Sequence, residues 1–64
     1  MGFERVLEEA RRELLTVPGV LAVSYRDGVI VVYVEDESVS RLIPRSYRGY
    51  PVEVKVVGRI GLLW

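Results

Sequence analysis

Six consecutive apolar residues, Val29-Ile30-Val31-Val32-Tyr33-Val34, follow directly on an Asp27-Gly28 pair. Five of the six are β-branched, which favours a pleated strand over a helix, and six residues are far too few to cross a bilayer. Asp-Gly accepts the positive φ of a tight hairpin turn, so residues 20–25 and 29–35 read as two antiparallel strands. Both strands are apolar on two sides. Ile30, Val32 and Val34 point one way while Val29, Val31 and Tyr33 point the other; likewise Leu21, Val23 and Tyr25 oppose Val20, Ala22 and Ser24.

The rest of the chain supplies layers for one side. Phe3, Val6, Leu7, Ala10 and Leu14 form a stripe at helical spacing over 3–16, with Arg5–Glu9 and Glu8–Arg12 four apart on the charged face. Pro18-Gly19 ends that helix. Asp36-Glu37-Ser38 resembles a helix start, which predicts a short helix through Ile43 that stops at Pro44, then a loop over 45–51. Residues 52–57 read as a third strand, with Val52, Val54 and Val56 against Glu53 and Lys55. About fifteen residues separate the second and third strands, enough for a right-handed crossover between parallel strands. The expected architecture is α+β in the order α-β-β-α-β: one domain over 1–64, a three-stranded mixed sheet and two helices on one face.

That architecture leaves an apolar sheet face without a helix, and the size of the chain makes this matter. A 64-residue chain buries only about 60% of its unfolded surface, and such chains usually add disulfides, a metal or a second subunit. Cysteine and histidine are both absent, leaving self-association as the open route. The expected contact surface is Tyr25, Val29, Val31, Tyr33, Leu62, Leu63 and Trp64, in a homodimer or against another protein. The apolar tail could instead fold back over its own sheet.

Without histidine or cysteine the usual general bases, thiolate nucleophiles and soft-metal ligands are missing. Ser24, Ser38, Ser40 and Ser46 have no imidazole to activate them, and Lys55 stands opposite the valines of its strand. Glu35, Asp36 and Glu37 are consecutive, and consecutive acids do not converge on one cation. No enzyme activity, cofactor or metal is expected. The densest cluster is Arg41, Arg45, Tyr47, Arg48 and Tyr50, within a 41–59 stretch holding five basic residues against Glu53 alone. Arginines between tyrosines suit phosphate pairing and base stacking, so a weak nucleic-acid or anion binder is the alternative function. A formal net charge of zero weighs against it, and solvated arginines with tyrosine rings on the core edge are the favoured reading. Gly58-Arg59-Ile60-Gly61 has the G-x-x-G spacing of KH domains, but there the loop joins two helices; here it follows a strand and reads as a bend.

Two further expectations concern setting. Asn and Gln are absent and eight of the nine basic residues are Arg, a thermophile-like composition. Charged residues from Glu4 onward leave no apolar leader core, which points to the cytoplasm and away from a membrane.

Val17-Pro18-Gly19-Val20 with Val23, Ile30-Val31-Val32-Tyr33-Val34, Ile43-Pro44, Gly49-Tyr50-Pro51-Val52-Glu53-Val54 and Val57-Gly58 together resemble the small α+β segment that precedes the protease domain in some bacterial trypsin-like peptidases. The resemblance covers 17–58 and departs from that family in its first strand, which is glycine-rich there and Val20-Leu21-Ala22-Val23-Ser24 here. In that family the chemistry belongs to the following domain. The resemblance therefore implies an accessory or structural module and places no catalytic residue on this chain.

Overall fold

The computed structural model describes residues 2–57. In chain order the elements are α1 (Phe3–Leu14), β1 (Val20–Arg26), β2 (Val29–Val34), α2 (Glu37–Ser40), β3 (Ser46–Tyr47) and β4 (Tyr50–Val56). They form an α+β fold around a mixed four-stranded sheet in the order β1-β2-β4-β3. The fourth strand corrects the expected three. Residues 45–51 are not a loop but a hairpin, in which Tyr47 pairs with Tyr50 and Ser46 with Pro51. Arg48 and Gly49 turn it with φ of 51° and 89°. The sequence hid this turn because arginine is a poor left-handed residue; the glycine after it supplies half of what the turn needs.

The central hairpin forms as its turn residues dictate. Asp27 and Gly28 take φ of 51° and 79°, and β1 pairs antiparallel with β2 from Arg26–Val29 back to Val20–Val34. Val20 pairs with Val34 and Ala22 with Tyr33, so Leu21 is an extra residue bulged out of the ladder. The bulge shifts the phase of β1: Val20 packs on the core while Leu21 is 52% exposed. Simple alternation had put Leu21 on the face of Val23. Beyond the crossover, β4 runs parallel to β2, pairing Ile30 with Val52, Val32 with Val54 and Val34 with Val56.

One core lies between the sheet and the helices. Ala10 and Leu14 from α1 and Val39 from α2 meet Val23, Ile30, Val32, Val34 and Ile43, with Phe3, Val6 and Leu7 packed at the margin. Ala10 is fully buried; its small side chain lets α1 lie close on the strands. Arg11 donates from Nε to the Val23 carbonyl at 3.3 Å, occupying an outward acceptor of edge strand β1. Asp36 caps α2, accepting from the Ser38 amide at 2.7 Å. The helix is shorter than expected, ending at Ser40 and continuing as turns in which the Leu42 and Ile43 amides bond to the Val39 and Ser40 carbonyls. Gly19, at φ 97°, passes directly beneath Val39 and accepts from the Glu35 amide at 2.9 Å, joining the first loop to the entrance of α2. Among the described residues, no helix is long and apolar enough to cross a membrane.

Candidate functional site

The helix-free side of the sheet follows from the ladder. Alternation from the buried set Ile30, Val32 and Val34 leaves Val29, Val31 and Tyr33 of β2 on the other side, flanked by Arg26, Ser24 and Ala22 of β1 and by Glu53 and Lys55 of β4. None of Val29, Val31 and Tyr33 belongs to the core cluster. The face is nonetheless no bare apolar wall. Val31 at its centre is only 5% exposed, and Val29 and Tyr33 are half-buried. Val31, Ser24, Arg26, Tyr33 and Lys55 line a groove of about 360 Å³, to which edge-strand Tyr25 also contributes. Leu21, at the bulge, and Val57, just past β4, are further exposed apolar residues, 52% and 46% exposed.

Tyr25, expected on the contact surface, sits on edge strand β1, 48% exposed and bordering that groove. It pairs with Ile30, which puts it on the helix side, and its ring lies 4.4 Å from that of Phe3. The aromatic contact with the start of α1 is one the strand pattern does not encode. Leu62, Leu63 and Trp64 lie outside the described residues, as do Arg59 and the Gly58-Arg59-Ile60-Gly61 run.

The arginine–tyrosine cluster is divided by the fold. Tyr47 and Tyr50 pack against the core, Tyr50 with its ring edge-on to Phe3 at 4.7 Å. Among the described residues, the buried Tyr47 hydroxyl meets no partner at good hydrogen-bond geometry. Arg48 reaches back to α1, its Nε 3.0 Å from Glu9 Oε1, with its guanidinium 5.8 Å from the Tyr47 ring centre. Tyr47 and, after it, Glu9 raise its pKa above the ordinary arginine value, so it remains charged. Arg41 and Arg45 are exposed. Arg45 borders a second hollow, of about 450 Å³, between α2 and β4, alongside Glu37, Ser40, Ile43 and Val54. Its lining mixes both charges with aliphatic carbons and gathers no chemistry. The hydrogen bonds from Ser38 to Asp36 and from Ser40 Oγ to the Glu37 carbonyl at 2.7 Å are internal to α2. Among the described residues, no group of three or more His, Cys, Asp or Glu side chains is placed to hold a metal ion.

What sequence reasoning missed on the helix-free face is its polar frame. Arg26 and Ser24 are brought beside Val29 and Val31 by the hairpin register, and Lys55 beside Tyr33 by the parallel crossover. The alternation Glu53-Val54-Lys55 was the available signal; its register against β2 was not. No protein-family model, no curated protein and no solved structure matches this chain, so the likeness to a peptidase-associated segment rests on residue pattern alone.

Proposed function

We propose that this chain is a non-catalytic interaction module that self-associates through the helix-free face of its sheet. The observation that carries this reading is the placement of Val29, Val31 and Tyr33 on the side of the sheet away from the core cluster. An antiparallel sheet can face water on one side, but that side is then normally polar; an apolar strip framed by charge is the make-up of a contact surface. A second copy is the simplest occupant, because the same patch on each chain closes a two-fold pair. The small single-sided core gives such pairing a stabilising role as well.

The test is the mass of the full chain in solution as a function of concentration. A rise from 7.3 kDa toward twice that value supports the reading, and one chain's mass up to about millimolar concentration overturns it. Val29→Thr with Tyr33→Thr keeps β-branched residues in the strand while removing apolar contact area, and is expected to shift the balance toward monomer. Unchanged association would move the interface elsewhere on the molecule. The anion-binding alternative keeps only its charges in support, Arg41 and Arg45, since the rings of Tyr47 and Tyr50 are engaged with the core.

A further inference from the structure

The helix-free face carries a charge pattern that is its own complement. Val23, Val32 and Val54 stand at one level across the sheet, because Val23 pairs with Val32 and Val32 with Val54. One step to one side of that level the face presents Ser24, Val31 and Glu53; one step to the other it presents Ala22, Tyr33 and Lys55. Further out, Arg26 lies beside Val29 at the hairpin end. Glu35, one residue past the end of β2, lies at the opposite end, its amide bonded to the Gly19 carbonyl. Opposite charges are thus balanced about the central level, Glu53 against Lys55 and Arg26 against Glu35. None of these four side chains has an ion-pair partner among the described residues.

We infer that the partner is a second copy of this chain, packed face to face about a two-fold axis that crosses the strands at the level of Val32 and reverses their direction. This rests on the self-association reading above and specifies its geometry. Such an axis lays each strand over its own counterpart. Glu53 then faces Lys55 of the second copy, and Lys55 faces its Glu53. Val31 lies against Tyr33 of the second copy, and Glu35 of the second copy comes over Val29, beside Arg26. The alternative two-fold axis, along the strands, stacks β1 on β4; it sets Lys55 over Ala22 and Glu53 over Ser24 and makes no opposite-charge pair. Aligned sheets pack about 10 Å apart with a crossing near 30°, which leaves the two Glu53–Lys55 pairs, one strand away from the centre, within reach. Complementary charges of this kind select orientation more than they add affinity.

The experiment compares dimerisation of the full chain with that of E53K, K55E and the double variant E53K/K55E by sedimentation equilibrium at low salt. Each single reversal sets like charges opposite one another twice in the dimer and is expected to weaken association by about tenfold. The double variant exchanges the two charges, restores both pairs and is expected to return association to within about threefold of the original. E4K, which changes net charge as E53K does but lies on α1, controls for overall repulsion and is expected to leave association within about twofold. Glu53 and Lys55 are exposed, and circular dichroism checks that each variant is folded. A double variant as weak as the singles overturns the reversed-strand arrangement; if Val29→Thr with Tyr33→Thr still disrupts the dimer, the face itself stands. An E4K effect equal to that of E53K also overturns the arrangement, and a wild-type monomer overturns both readings.

Discussion

The two sides of β2 carry nearly the same residues and meet opposite fates. Ile30, Val32 and Val34 are completely buried beneath the helices, while Val29 and Tyr33, one position along the same strand, stay half-buried with neither α1 nor α2 over them. The difference lies in what covers each side. The covered side receives Ala10 and Leu14 from α1 and Val39 from α2. Among the described residues, the other receives only the flanking side chains of β1 and β4, which leave a groove around Val31. Apolar patterning makes a strand; a neighbouring layer makes a core.

Truncation on the two sides is the strongest way to break this contrast. Ile30→Ala empties a fully buried site and is expected to lower stability by about 2–5 kcal/mol, most of what so small a core supplies. Chemical denaturation reads it directly. A loss below about 1 kcal/mol would mean that the helix layer does not seal the covered side.

Next in size is a pair of glycine replacements that separate packing from backbone preference. At Gly19 a Cβ would run into Cγ2 of Val39 in addition to requiring a positive φ. At Gly28 the φ is also positive but nothing lies within 4 Å. Gly19→Ala is expected to cost about 2–4 kcal/mol and Gly28→Ala about 1–2. Equal losses in the two melting curves would show that Val39 yields and that α2 is loosely held.

On the helix-free side the expected change in one chain's stability is smaller. Val29→Thr with Tyr33→Thr should cost under about 2 kcal/mol at high dilution, and the dependence of Tm on protein concentration should flatten. A cost as large as that of Ile30→Ala, present at every concentration, would make this side part of the monomer's own core.

The smallest effect belongs to Arg48. Its bridge to Glu9 joins two exposed side chains, so Arg48→Ala is expected to move Tm by under about 5 °C, with a difference that shrinks in added salt. Because the folded-state pKa of Arg48 is raised, its stabilising share is fully present below the unfolded-state value and is lost only at still higher pH. Salt is therefore the practical probe of this pair rather than alkali. A larger shift that ignores salt would assign Arg48 a packing role over the Tyr47 ring.

Legibility in the sequence followed the range of each interaction. The stripe Phe3, Val6, Leu7, Ala10 and Leu14 placed α1 to within two residues at its end, and Asp27-Gly28 placed the central turn, because both signals are local. The parallel partnership of β2 and β4 was also readable from the length of the connection between them. The β3–β4 hairpin was not, since Arg48-Gly49 is a weak turn signal and two-residue strands have no periodicity to detect. For the candidate surface, Val29, Val31 and Tyr33 were legible from alternation, as was the shared side of Tyr25 and Val23, whereas the ring contact of Tyr25 with Phe3 was not.

By itself, then, the amino-acid order determined α1, the central hairpin and the last long strand, and that no thiol or imidazole side chain is present, because these depend on neighbours along the chain. Only the tertiary structure decided the bulge at Leu21 that resets the faces of β1, the engagement of Tyr47 and Tyr50 with the core, and the level at which Glu53 and Lys55 flank Val54 beside Val32. Each of these is a matter of register between segments far apart in sequence. Register is chosen by the packing free energy of the whole sheet against its helices, and no single stretch of the chain carries that quantity.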